Sequence, residues 1–338
     1  MSSFNKVNMY VLRAVLFLGI SALLVWMIWK QRTCEIKTGL SGNACTPQMP
    51  TFWIIALFVV INLPWAYFVA GHILEKKWDR YGLSQLDREA VNNPQQSTLI
   101  VTLTTSPSRL LTVDNTLKSW LKQTVAPAQI IVYLPALYRD RVEYAIPKHL
   151  QNLQKVKIVQ LETRDFGPAT KFVGPYLDLD PDSRIVICDD DLIYGPKTIA
   201  TYLKHLQNPT LQNAVICLRG WKWDGRRIGK TVRGKQLGGQ NCQSVDVVTG
   251  CGSVCLTPKM LGPQFMQNFA NLPEYSRLVD DIVLSGELAR NGIPRFVVSG
   301  TACHVARGLS VDGLYSNYNY NNKNNKKMLK FYEKYFHS

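Results

Sequence analysis

The sequence predicts an α/β protein in which a mostly parallel sheet flanked by helices follows two transmembrane helices. Three observations predict it. From residue 98 onward, short β-branched runs alternate with stretches of helical periodicity, the pattern of a parallel sheet with crossover helices. One run, Arg184–Cys188, ends in three consecutive aspartates, Asp189, Asp190 and Asp191, and open α/β sheets bind ligands beyond the carboxyl ends of their strands. Near the N-terminus, residues 10–29 and 52–74 are apolar, each close to the about 20 residues that cross a bilayer as a helix.

The first apolar stretch contains Arg13, near enough to its end to snorkel, and the second contains Pro64, which membrane helices tolerate. Trp26, Trp29, Trp53 and Trp65 accompany them, the outer ones at interfacial positions. The first stretch lacks a small-residue cleavage site and a second follows it, so it does not read as a cleavable signal. Residues 1–74 are therefore expected to form a two-helix anchor. Residues 75–97, polar and containing Asn92-Asn93-Pro94-Gln95-Gln96, are expected to form a linker.

Two spans put both chain ends on one side. Lys6, Lys76, Lys77, Arg80 and Arg88 flank that side, against Lys30, Arg32 and Lys37 in the short loop, which points to a cytosolic C-terminal region. Cys34 and Cys45 lie in that loop, where an oxidising compartment permits a disulfide. Cys188, Cys217, Cys242, Cys251, Cys255 and Cys303 sit in or beside apolar runs and read as reduced thiols. Cys251 and Cys255 lack the paired spacing of a zinc site. The net charge of +15 suits anionic lipid headgroups and a phosphate-bearing ligand; no groove-reading or stacking motif supports nucleic acid.

Taken in order, Thr98–Thr104 is the first strand, and Leu110, Val113, Leu117, Trp120 and Leu121 recur at helical spacing. Strands follow at Gln129–Leu134, stopped by Pro135, at Val156–Leu161 and at Arg184–Cys188. Pro196 opens a helix with Ile199, Tyr202, Leu203 and Leu206 inward. Ala214–Leu218 and Arg295–Ser299 complete the strands. Gly225–Gly239, rich in Gly, Lys and Arg, reads as a flexible flap over phosphates. Asp280-Asp281 opens an amphipathic helix with Ile282, Ser285, Leu288 and Ala289 inward, Gly292 as its stop and Asp280 as its N-cap. Residues 98–314 thus form one α/β domain. Residues 315–338 form a tail of low complexity ending in a basic-aromatic helix, Met328–Phe336, either solvated or resting on a membrane.

Three carboxylates delivered by a buried strand repel one another unless something compensates. Carboxylate oxygens suit hard divalent ions, and Mg²⁺ or Mn²⁺ held this way keeps open positions for phosphate. The alternative is a solvated acidic turn leading into the next helix.

The opening Thr98–Arg109, the helix ending at Gln123-Thr124, the strand Gln129–Leu134 and the later aspartate triplet together resemble a GT-A glycosyltransferase domain, near the family-two-like enzymes, over residues 98–305. The resemblance implies a nucleotide-sugar site with a DXD motif, and a role for each matching position. Thr102, Thr104, Thr105 and Arg109 would bind the nucleotide, with Asp165 on the donor and Lys171 on the diphosphate or acceptor side. Asp189 and Asp190 would orient the donor, and Asp191, with Asp189, would hold the metal, completed by His304. Asp281 would act as base. Gly250 and Gly252, in a small-residue loop, and Asp280 would line the acceptor pocket. Trp221 and Trp223 either stack on a sugar there or pack in the core.

The expected function is a membrane-anchored, Mn²⁺- or Mg²⁺-dependent glycosyltransferase. It would take a nucleotide-sugar, a UDP-sugar by preference, to a lipid-linked or surface glycan among membrane lipids. A nucleotidyltransferase and a degenerate, transferase-like membrane scaffold or lipid-binding protein are the alternatives.

Overall fold

The computed structural model describes residues 82–110, 112–225, 228–300, 304–305 and 323–336. The expected spans at 10–29 and 52–74, and Cys34 and Cys45, lie outside the described residues. Among the described residues no helix is long and apolar enough to cross a membrane.

An eight-stranded sheet in the order β3-β2-β1-β4-β11-β6-β12-β9 organises the domain. Its strands are β1 (Ile100–Leu103), β2 (Gln129–Leu134), β3 (Val156–Gln160), β4 (Ile185–Ile187), β6 (Val215–Cys217), β9 (Cys242–Ser244), β11 (Val254–Leu256) and β12 (Arg295–Val298). Strands β3, β2, β1 and β4 run parallel, β11 is antiparallel to both β4 and β6, and β12 returns parallel to β6. Continuous apolar runs such as Ile185-Val186-Ile187 suit strands covered on both faces. Side chains alternate across such a sheet: Ile185 and Ile187 enter one core cluster, Val186 and Cys188 the other.

The helices that cover one face are α1 (Leu83–Val91), α2 (Asp114–Leu121) and α5 (Thr198–Leu206). On the other lie α4 (Thr170–Asp178), α7 (Phe265–Ala270), α8 (Asp280–Arg290) and α9 (Lys323–Phe336). Two single-turn helices, α3 (Lys148–Gln151) and α6 (Pro209–Gln212), complete the set. A second, three-stranded sheet, β10-β7-β8, contains β7 (Arg219–Trp223), β8 (Ile228–Arg233) and β10 (Val247–Val248). A two-stranded ribbon pairs β5 (Leu192–Ile193) with β13 (His304–Val305).

Three expectations are corrected, and one helix is new. The polar stretch expected to be a linker contains α1, which buries Leu83, Leu86 and Ala90; Asp87 is buried too and accepts from the Gln154 and Lys155 amides. The expected flap contains strand β8, which pairs antiparallel with β7, and a 3-10 turn at Gly234–Gln236. The C-terminal helix α9 is docked rather than free, since Met328, Leu329, Tyr332 and Phe336 are buried against the domain, while Lys326, Lys327, Lys330 and Phe331 on its other face are exposed. Helix α4 has no counterpart in the sequence reading: Gly174-Pro175 in its interior reads as a turn. Gly174 is there for packing, because a Cβ at that position would lie 2.4 Å from the Tyr133 ring.

Candidate active site

The C-terminal edge of the parallel strands holds the acidic site. Strand β4 is buried throughout, so the chain leaves it with the triplet at the rim. Asp190 turns inward. Its Oδ2 accepts from Thr105 Oγ1 at 2.5 Å, its Oδ1 lies 2.8 Å from Arg109 Nη2, and its carbonyl accepts from Thr116 Oγ1 at 2.8 Å. Asp189 and Asp191 point outward, their side chains each 29% exposed. Asp191 Oδ2 meets the same Arg109 nitrogen at 2.6 Å, while Asp189 Oδ1 accepts from Lys171 Nζ at 2.5 Å. Burial pushes the Asp190 carboxyl up to about 6, against the pull of Arg109 and Thr105. Burial also raises Asp191, again with Arg109 opposing.

Lys171 joins this edge to helix α8. The same Nζ that holds Asp189 lies 2.7 Å from Asp280 Oδ2, in a side chain only 6% exposed. Burial works against its charge, but Asp189, Asp280 and Asp281 outweigh that and hold it well above the usual lysine range. Asp280 is the first residue of α8 rather than its N-cap, and its carboxylate is turned to Lys171. Asp281 Oδ1 accepts from the Gly250 amide at 2.8 Å. Burial, and then the neighbouring Asp280 charge, push its carboxyl up to about 7. Such a carboxyl is matched to proton transfer near neutral pH.

Gly250 is a close-approach glycine. A Cβ there would lie 2.7 Å from Lys171 Nζ and 2.8 Å from Asp189 Oδ1. Five carboxylates (Asp189, Asp190, Asp191, Asp280 and Asp281) thus gather around two protein cations, Arg109 and Lys171.

The remaining sequence-predicted residues are distributed as follows. Thr104 follows β1 beside Thr105 and is half-buried. Thr102 is fully buried, and its hydroxyl donates to the Lys171 carbonyl at 2.9 Å. Asp165 fastens two loops: its oxygens accept from the Arg139 and Gly167 amides, both at 2.7 Å. Arg139 and Gly167 both adopt positive φ, and Asp165 holds both turns. Trp221 and Trp223 belong to the hydrophobic core, which leaves no open ring face for sugar stacking. Gly252 packs against β7, where a Cβ would lie 2.5 Å from Arg219 Cβ. His304 stands opposite Ile193 in the β5–β13 ribbon, so its backbone is brought beside the chain leaving the triplet.

Sequence reasoning missed the residues that set this geometry. Tyr194 Oη accepts from the Asp189 amide at 2.9 Å and donates to the Gly250 carbonyl at 3.3 Å, while its ring stacks on Trp120 at 4.7 Å. Thr116 bonds the carbonyls of Asp190 and Leu192 from inside α2. Tyr144 Oη donates to the Thr105 carbonyl at 3.0 Å. Ser285, read only as an inward position, donates to the Asp281 carbonyl and accepts from the Val248 amide. A threonine or serine on the apolar face of a helix was the one available signal.

Asp189 and Asp191 fit a hard divalent ion. Two outward carboxylates supply oxygen donors, and Mg²⁺ of this kind takes one or two carboxylates and completes its shell with substrate phosphates and water. Among the described residues no group of three or more His, Cys, Asp or Glu side chains is placed to hold a metal ion.

No family model matches the chain, and no curated protein matches. Among solved structures, S. aureus TarS 1-349 aligns with 16% identity and a TM-score of 0.39, over 62% of this chain and 59% of that one. The same protein in complex with UDP-GlcNAc gives 15%, 0.39, 64% and 61%. GalNAc-T7 with UDP, GalNAc and Mn²⁺ gives 13% and 0.42, over 72% of this chain and 50% of that one. The chain spans about three fifths of the length of the TarS 1-349 structures. At such scores and identities the likenesses carry no argument about function.

Proposed function

We propose that this chain is a metal-dependent glycosyltransferase that moves a sugar from a nucleotide-sugar donor, UDP-linked by preference, to a hydroxyl of a glycan or lipid-linked acceptor. The observation that carries the reading is Lys171, whose single ammonium touches both Asp189 and Asp280. It ties the aspartate triplet to the helix bearing Asp281, so a phosphate-handling edge and a carboxyl raised to about 7 share one site. Among reaction classes, glycosyl transfer uses both: a base for the acceptor hydroxyl and cationic stabilisation of a leaving diphosphate.

Asp189 and Asp191, with His304 following in the adjacent ribbon, would hold Mn²⁺ or Mg²⁺. When bound, that ion stabilises charge on the departing diphosphate. The chain's own residues do the rest. Arg109, held between Asp190 and Asp191, supplies a planar fork for a phosphate oxygen at the same edge. Thr105 fixes the inward Asp190 and so the position of the whole triplet. The Gly250 amide orients the Asp281 carboxylate, leaving its second oxygen to take the acceptor proton at the start of an inverting displacement. The apolar segments at 10–29 and 52–74 would keep the domain at the cytosolic face of a membrane where such an acceptor resides.

Calorimetry with UDP and Mn²⁺ tests the reading directly. Metal-dependent UDP binding that is lost in Asp191→Ala is the expected result. A wild-type chain that is calorimetrically silent towards UDP, with or without metal, leaves the scaffold alternative in its place.

A further inference from the structure

Strand β7 starts at the wall of the site, and its first residue is an arginine without an acidic partner. Arg219 Nη1 donates to Cys251 Sγ at 2.7 Å and to Thr249 Oγ1 at 3.3 Å. Among the described residues it forms no ion pair with a carboxylate. The contact is built in rather than incidental, because Gly252 lets the loop press onto β7: a Cβ there would lie 2.7 Å from the Arg219 amide nitrogen. Directly opposite, in antiparallel register, stands Arg233, exposed and likewise without a carboxylate partner among the described residues. Like charges in directly opposed positions destabilise a strand pair. Two guanidinium groups there are an electrostatic cost that a bound anion would offset.

The place of this pair relative to the reacting groups decides which anion it meets. The guanidinium reaches Cys251, the residue next to Gly250, whose amide holds Asp281. Lys171, not Arg219, is the principal cation facing Asp281. Under the glycosyltransferase reading the donor's phosphates are assigned to Arg109 and the outward aspartates. Under the same reading, the molecule presented to Asp281 is the acceptor.

We propose that Arg219 and Arg233 form an anion subsite that takes a phosphate group of the acceptor, close to the hydroxyl presented to Asp281. The planar fork of Arg219 suits bidentate contact with phosphate oxygens, and Arg233 adds a second cation on the same face of the β7–β8 ribbon. This rests on the glycosyltransferase reading for the word acceptor; the anion subsite itself does not.

Inorganic phosphate is the probe. It is titrated calorimetrically into the full-length protein in detergent, with and without saturating UDP and Mg²⁺, so that the triplet side is occupied in one arm. The expected result is saturable phosphate binding that survives UDP saturation and weakens with salt. Arg219→Ala should weaken it about tenfold and Arg219→Lys less, as expected for loss of a charge-assisted bidentate contact. Arg233→Ala, at an exposed position, should weaken it several-fold. UDP affinity should be unchanged in all three.

Phosphate binding that is absent, or unaltered in both alanine variants, overturns the subsite. Phosphate displaced by UDP, or UDP affinity falling with phosphate affinity, overturns the acceptor assignment, since the arginines would then serve the donor. Should Arg219→Ala not fold, the Arg233→Ala titration decides. A wild-type protein that binds phosphate through these arginines but no UDP would overturn the glycosyltransferase reading and leave the subsite standing.

Discussion

Helix α8 carries acidic residues at its two ends, and they are treated in opposite ways. At its N-terminus Asp280 and Asp281 join the triplet, and five carboxylates share Arg109 and Lys171. Two turns later Glu287, completely buried, is fully partnered. Its Oε1 accepts from Tyr332 Oη at 2.7 Å and lies 3.4 Å from Arg290 Nη2, while its Oε2 accepts from Asn268 Nδ2 at 3.1 Å. One end keeps excess negative charge available, and the other removes every free lone pair it can. The difference separates a site from a strut: buried charge left short of partners is costly, and persists where it serves chemistry.

Replacing Asp281 tests the first half of that comparison and should have the largest effect. Asp281→Asn removes the base and is expected to lower kcat by about 10²–10⁴-fold, the usual worth of general-base catalysis. In the wild type, kcat/KM should rise tenfold per pH unit below about 7 and level off above it, because the carboxylate must be deprotonated to act. Stability should move the other way. The folded-state value of about 7 lies above the unfolded value of about 3.9. The group's contribution is therefore fully present below that lower value and is lost as pH rises through 7. The asparagine variant should accordingly gain thermal stability relative to wild type as pH is raised from 4 to 8. A variant less stable than wild type at pH 8 would make Asp281 a strut like Glu287.

Gly250→Ala comes next. The added methyl would meet Lys171 Nζ and Asp189 Oδ1 inside van der Waals distance, so the bridge between triplet and α8 must shift. UDP–Mn²⁺ affinity is expected to fall by about tenfold or more, since small misplacements of site groups are costly, with the thermal midpoint moving only slightly. Unchanged affinity would show that the Lys171 contact does not set the site's geometry.

How much of this could be read from the chain depends on which physical signal each residue leaves. Strands β1, β2, β3, β4, β6 and β12 each fall within the run expected for them, and β2 matches its run residue for residue; the central ones, such as β4 and β6, are covered on both faces and read as continuous apolar runs. Helix α4 and the ordering of α1 left no such trace: Gly174-Pro175 mimics a turn, and α1 is polar on one side. Strand β8 was hidden by Gly and Arg, whose pairing with β7 is decided by tertiary contacts. In the site, acidic runs are conspicuous, so Asp189–Asp191 and Asp280-Asp281 could be singled out. Their holders could not, because Thr116, Tyr194 and Ser285 act through backbone contacts up to 76 residues away. Thr102 and Asp165 are polar residues at suggestive positions, and their hydrogen bonds go to the scaffold.

The Glu287 end should respond in stability and not in mechanism. Glu287→Ala leaves Tyr332 and Asn268 with buried, unpaired groups and is expected to destabilise the domain by about 2–4 kcal/mol, read by denaturant unfolding. The smaller companion, Tyr332→Phe, removes one hydrogen bond but keeps the ring that packs on Gly286, where a Cβ would lie 2.3 Å from it. The cost should be about 1 kcal/mol, with no displacement of the pH midpoint near 7. That last readout is what separates the two ends of α8. If the midpoint moved with Tyr332→Phe, the C-terminal helix would be tuning Asp281 along the length of α8, and the division between site and strut would fail.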